Sequence, residues 1–258
     1  MKELSFKEYG QANSQTIIFI HATGSSSHMW KDHVAALQDD FYCITIDLPG
    51  HGDSRDMEWT NFDEVAEMLV QIIKTRVQGK PHLVGLSLGA SLTLKLLEKE
   101  AKLVDRVIID GASHQPIKGY RKIIALVYIL SFLKNTRLVA NLMSKMMRED
   151  GVPEEKYQQF ILDMQQTTRK SFRRAMSQAN LLKLELSFEN PAFFVSGEKE
   201  SETLHASHRL LVQKNPDSDC AYYPDKGHAW LFSDVDTHIQ LVQHFLQGAP
   251  FPEKLKGC

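Results

Sequence analysis

Six strand-length runs, TIIFIH (16–21), YCITID (42–47), PHLVGLS (81–87), VDRVIIDG (104–111), PAFFVSG (191–197) and DCAYYP (219–224), are spaced along this chain with longer amphipathic stretches between them. Most are continuously apolar instead of alternating, as expected of strands in a sheet covered on both faces. The intervening stretches at 62–76, 91–101, 203–214 and 235–247 carry helical periodicity; in the last, Val235, Ile239, Val242 and Leu246 fall on one face. Strand and helix in alternation predict an α/β fold built on a doubly wound, mostly parallel sheet. The opening MKELSFKEYG mixes charged and apolar residues from the start, so it reads as a further strand and not as a secretory leader.

The alternation breaks between residues 114 and 188. Helical segments are expected there near 116–134, 136–148, 153–169 and 171–186, and Asn190-Pro191 marks the return to a strand. The chain therefore divides into a first core segment (1–113), an inserted helical cap (114–188) and a second core segment (189–258). The first inserted segment is apolar around most of its circumference, from Ile123 through Leu133. Burial against the core or neighbouring helices is the expectation, with an acyl or aromatic ligand as the other possible cover. Met143, Met146 and Met147 are expected to pack within the same layer, with the lining of an adaptable pocket as the alternative.

Gly85-Leu86-Ser87-Leu88-Gly89 stands where a strand ends and a helix begins near Ala90. A sharp strand-to-helix turn leaves room only for small residues two before and two after the serine, and it lifts the hydroxyl to the carboxyl edge of the sheet. A serine needs a positioned base, and Gly227-His228-Ala229-Trp230 supplies one on the loop between the last long strand and the last helix. Ser87 is the candidate nucleophile and His228 the candidate base.

Together with the HATGSSSHMW loop and Asp47-Leu48-Pro49-Gly50-His51-Gly52-Asp53-Ser54, these motifs resemble the α/β-hydrolase superfamily of serine hydrolases over nearly the whole chain. The resemblance implies that an acid on the loop after the penultimate strand orients the histidine. Glu198, Glu200 and Glu202 lie there; Glu200 ranks first, and Asp110 at the end of VIIDG is the alternative. It further implies an oxyanion hole made of the backbone N–H groups of Leu88 and Thr23. Asp47, His51 and Asp53 belong to a bracing turn, and His21 is a loop-stabilising residue. Two departures stand out. The usual His-Gly of the oxyanion loop is His21-Ala22, which a methyl group tolerates only if φ there is negative, and the usual aspartate of the acid loop is Glu200.

With 30 basic and 32 acidic residues the chain has a net charge near −2, which gives no bulk attraction to nucleic acid or anionic lipid. The longest nearly apolar run, IIALVYILSFL at 123–133, is shorter than the ~20 residues of a spanning helix. Cys43, Cys220 and Cys258 are far apart in sequence and form neither a disulfide framework nor a zinc motif, as suits a reducing cytoplasm. Neither a metal nor an organic cofactor is expected: HExxH, CxxC and Walker motifs are missing, and Arg55 occupies the third position of a would-be GxGxxG. The expected activity is cleavage of a small carboxylic ester or related acyl compound through an acyl-enzyme. The alternatives are a ligand-sensing protein of low turnover, or hydrolysis of a C–C bond, lactone or amide. Epoxide hydrolysis and dehalogenation would call for aspartate at position 87.

Overall fold

Each buried strand sorts its side chains onto two faces, which is why the runs read as continuously apolar. In a computed structural model that describes residues 3–258, β2 (Thr16–Ile20) sends Ile18 and Ile20 into one core and Ile17 and Phe19 into the other. The same division separates Leu83 from Val84 and Leu86 on β4 (His82–Leu86), and Val107 and Ile109 from Ile108 on β5 (Val107–Asp110). One core lies under α2 (Phe62–Arg76) and α3 (Leu88–Glu100); the other lies under α1 (Lys31–Leu37) and α10 (Val235–Gln247).

The remaining core elements are β1 (Ser5–Tyr9), β3 (Tyr42–Asp47), β6 (Ala192–Gly197), α8 (Glu202–Lys214), β7 (Ser218–Tyr223), α9 (Trp230–Ser233) and β8 (Lys256–Gly257). The eight strands are ordered β1-β3-β2-β4-β5-β6-β7-β8, parallel from β3 to β7 and antiparallel at the edges. After β2 the chain moves outward to β3, then crosses back to place β4 on the other side of β2. The loops leaving β2 and β4 therefore diverge at the carboxyl edge and open a crevice at this reversal of winding, where open α/β sheets bind ligands.

Between β5 and β6 lie α4 (Tyr120–Leu133), α5 (Arg137–Glu149), α6 (Glu154–Gln166) and α7 (Arg169–Leu181). The insertion leaves and rejoins the core at one point: Leu184 N–H donates to His114 O at 3.0 Å and Ile117 N–H to Asn180 O at 3.1 Å. The expectation of helix through residue 186 fails beyond Leu181. Leu182, Leu184 and Leu186 are buried while Lys183 and Glu185 face solvent, a period of two that belongs to extended chain. Helix α1 was hidden by its length of only seven residues.

Burial of the first inserted helix also fails. In α4 only Val127 and Ser131 are buried, while Leu126, Ile129 and Phe132 are each more than half exposed. Of the three methionines, Met147 is buried, Met143 packs at the edge of the core and Met146 is exposed. Lys134, at the end of α4, is buried and donates to Met164 O at 2.7 Å, Gln165 O at 3.0 Å and Asn135 Oδ1 at 2.9 Å. Its ammonium thereby caps the carboxyl end of α6; burial, with Arg169 nearby, pushes its pKa down to about 8.

No single helix among the described residues is long and apolar enough to cross a membrane. The cysteines are free, but Cys220 and Cys258 are not strangers: Ala221 pairs Gly257 across β7 and β8, and Cys258 N–H donates to Cys220 O at 3.1 Å.

Candidate active site

Ser87 sits between β4 and α3 with φ 55° and ψ −106°, one of two non-glycine residues with positive φ among those described. Such a backbone is costly for an L-residue and persists only where its surroundings fix it. Here the Ser87 N–H donates to Asp110 O on the neighbouring strand at 2.8 Å, and Ser91 N–H donates back to Ser87 O at 2.8 Å. The flanking glycines are demanded by contact: a Cβ at Gly85 would lie 2.6 Å from Ala90 N, and one at Gly89 would lie 2.1 Å from Ile20 O.

That contact also brings the end of β2 against the start of α3, so the loop carrying Thr23 leaves β2 beside the N-terminus of α3. Leu88 is the first residue of α3, and its N–H has no intrahelical acceptor. Ala22 is not among the positive-φ residues, which meets the condition for its methyl group. His21 spans two loops: its Nε2 accepts from Leu48 N–H at 2.9 Å and its Nδ1 donates to Ala22 O at 2.8 Å. Burial lowers its pKa, in keeping with a neutral ring. Asp47 accepts from Ser27 N–H at 2.6 Å and Asp53 N–H at 3.0 Å, bracing the same loops.

The three glutamates after β6 have separate duties. Glu198 accepts from Asp225 N–H at 2.7 Å, Glu202 pairs with Arg209 on the surface, and Glu200 Oε1 lies 2.7 Å from His228 Nδ1. The loops after β6 and β7 are further joined by Lys199 N–H to Lys226 O at 2.9 Å and Glu198 N–H to Tyr223 O at 2.9 Å. The His228 side chain keeps 49% of its surface accessible, whereas that of Glu200 keeps 12%. The Glu200 charge raises the His228 pKa to about 9 against the opposing effect of desolvation. Burial pushes the Glu200 carboxyl up, but the charge of His228 and its hydrogen bond, with help from His208 and His205, hold it below its ordinary value. Ser87 and His228 both lie at this sheet edge; among the described residues the Ser87 hydroxyl makes no hydrogen bond to the imidazole.

Asp110 makes no hydrogen bond to His228. Its Oδ1 accepts from Trp230 Nε1–H at 3.1 Å, and its Oδ2 lies 3.7 Å from His238 Nε2 without a hydrogen bond. Burial pushes its pKa up to about 8. Of the two acids proposed from sequence, the geometry joins Glu200 to His228 and Asp110 to the indole two residues further on.

The model of the alpha/beta hydrolase family matches residues 17–238. The chain belongs to the alpha/beta hydrolase family. Among its relatives, a 2-succinyl-6-hydroxy-2,4-cyclohexadiene-1-carboxylate synthase of Enterobacter sp. is 34% identical over 103 residues, 40% of each chain. The 3-oxoadipate enol-lactonase 1 of Acinetobacter baylyi is 33% identical over 95 residues, 37% of this chain and 36% of that protein. The matched stretches thus span well under half the length of these relatives. The crystal structure of the enol-lactonase from Burkholderia xenovorans superposes with a TM-score of 0.80 at 17% identity, covering 95% of this chain and 96% of that one.

In this alpha/beta hydrolase family member, one residue of the site escapes a reading of motifs. Gly111 has φ +64°, and a Cβ there would stand 2.8 Å from His228 Cε1, 3.0 Å from Nδ1 and 3.2 Å from Glu200 Oε1. The glycine leaves the space that the imidazole and carboxylate fill. Its only signal in the sequence is a glycine directly after the strand-ending Asp110, too common a pattern to be singled out. The insertion also reaches the site: Ser26 Oγ–H, on the loop after β2, donates to Asp163 Oδ2 of α6 at 2.6 Å.

Proposed function

We propose that this chain is a serine hydrolase that cleaves a small carboxylic ester through an acyl-enzyme. Ser87 Oγ attacks the carbonyl carbon while His228 Nε2 takes its proton; Glu200 holds the Nδ1–H and stabilises the imidazolium. The negative oxygen of the tetrahedral intermediate is received by the Leu88 and Thr23 N–H groups at the positive end of α3. His228 then protonates the leaving alcohol, activates water against the acyl-enzyme, and returns the proton to Ser87 as the acid departs. In this reading residues 114–188 form a cap over the nucleophile, carried by the core segments 1–113 and 189–258. The free thiols fit a reducing compartment such as the cytoplasm.

The observation that carries the proposal is the 2.7 Å His228–Glu200 contact at the same sheet edge as a serine held at positive φ. Its test is labelling with a fluorophosphonate probe together with turnover of short p-nitrophenyl esters. Label on Ser87, and a drop of at least ~10³-fold in kcat for Ser87→Ala, are expected. A label on another serine, or a single covalent event without turnover, would overturn the reading, the latter in favour of a ligand sensor. Similarity to the two enol-lactonases favours a second reading within the same chemistry, in which the ester is cyclic and alcohol and acid leave as one molecule.

A further inference from the structure

The insertion exposes large apolar side chains in two ordered stripes. On α4, Leu126, Ile129 and Phe132 follow one another at helical spacing, and on α5 Leu138, Leu142 and Met146 recur every fourth residue; Leu126 is 62% exposed and Leu138 73%. Apolar side chains scattered singly over a surface need no explanation, but repeated ones on one side of a helix mark a face that meets another phase or partner.

The charge around these stripes is one-sided. From Gly111 to Arg148 the sequence holds no Asp or Glu and seven Lys and Arg. Lys134 is buried as a helix cap, and the other six are exposed. Helix α7, packed along α4, adds two more cations: Arg173 lies 4.6 Å from the Tyr128 ring centre and Arg169 lies 5.0 Å from that of Phe132. Glu149, 3.8 Å from Lys145, and Asp150, the C-cap residue of α5, are the acidic neighbours there. Over the whole chain the asymmetry is large. Residues 114–188 hold 13 basic and 6 acidic side chains, which leaves 17 basic and 26 acidic for the rest.

We propose that α4 and α5 dock this protein on an anionic phospholipid surface, with the apolar stripes sunk at the headgroup boundary and the basic residues among the phosphates. Apolar side chains beside Lys and Arg are the composition of helices that lie in a bilayer interface. The helices, of 14 and 13 residues and bent by 119°, are each too short to span and are suited to lying flat. The acidic core is repelled by the same surface, which turns the insertion toward the lipid. A second copy is a poor occupant, because a symmetric contact through this face would set basic residues against basic residues. The near-zero net charge of the chain conceals this local attraction by averaging over it.

Co-sedimentation of the full chain with vesicles tests the proposal, independently of whether Ser87 is a nucleophile. Binding is expected to vesicles of equal parts phosphatidylcholine and phosphatidylglycerol and not to pure phosphatidylcholine. It should fall about tenfold or more at ~1 M salt, where screening shortens to ~3 Å. L126D/L138D should lose binding at least tenfold while keeping the wild-type Tm, and R121Q/K122Q/R137Q should lose the preference for phosphatidylglycerol. The proposal is overturned if the mixed vesicles do not bind the protein, or if L126D/L138D binds them like wild type. It is also overturned if sedimentation equilibrium shows a dimer that L126D/L138D disperses, since the stripes would then belong to a second copy.

Discussion

Glu200→Gln and Asp110→Asn are the pair of substitutions that separates an orienting acid from a structural one. Loss of the Glu200 charge removes the main cause that raises His228 and leaves the burial that lowers it, opposed by the weaker charge of Asp110. The midpoint of kcat/KM against pH, expected near 9 in the wild type as the imidazole becomes a free base, should therefore move to lower pH. The plateau should fall by ~10²–10⁴. Asp110→Asn keeps an acceptor for Trp230, so kcat should stay within about tenfold, and the midpoint should move down less than in Glu200→Gln because Asp110 is the smaller of the two charges that raise His228. The same substitution should change stability. Asp110 has a folded pKa of about 8 against an ordinary 3.8, so between these values the folded protein holds a proton that the unfolded chain releases, and its contribution declines as pH rises. Asp110→Asn should flatten that decline in Tm measured from pH 4 to 8. Gly111→Ala puts a methyl group against His228 and Glu200 at a left-handed backbone position, at a cost of ~1–2 kcal/mol from conformation alone. Its kcat should fall at least tenfold beyond what the loss of stability explains; an unchanged kcat would show that the space at Gly111 is not needed.

Among elements, the insertion depends on a single buried cation for one of its joints. Lys134→Met keeps most of the side-chain volume but leaves the Met164 and Gln165 carbonyls without their donor. A cost of ~1–3 kcal/mol is expected, together with earlier proteolysis between α6 and α7 than in the core. Urea unfolding followed by the three tryptophans, all of them buried in the core elements or their loops, would read the global part. Limited proteolysis would read the local part. Elements were also where the sequence was easiest to misread. The extended stretch after α7 carries Leu182, Leu184 and Leu186 at strand period, but LLKLELS also satisfies a helical pattern, and nothing local decides between them. The central strands posed no such difficulty, because burial on both faces makes a run such as TIIFI apolar throughout.

For the molecule as a whole, a doubly wound, mostly parallel sheet was legible because its strands and helices follow from local patterns repeated along the chain, whereas the order of the strands came from the structure. The candidate site was legible where a motif has a mechanical cause, as at Gly85 and Gly89. It was obscure where the cause is a contact between distant segments. Nothing in VIIDGAS announces that Asp110 meets Trp230 or that Gly111 clears room for an imidazole 117 positions on. The open face of α4 and the exposed Met146 of α5 were misread for a related reason: apolar periodicity reports that a face is to be covered, and says nothing of what covers it.

The pinched neck formed by His114 and Leu184 has one more consequence. A loop whose ends already touch costs little more to close when it is long than when it is short, since the entropy grows only as the logarithm of its length, by about 0.6 kcal/mol per doubling. The length of the stretch beyond the neck can change at little entropic cost, provided that the residues it adds to the two cores, Met147, Tyr157 and Ile161 on one side and Ala175 on the other, are kept. Selection can therefore vary the outward faces of the insertion while inheriting unchanged the sheet edge that carries Ser87 and His228.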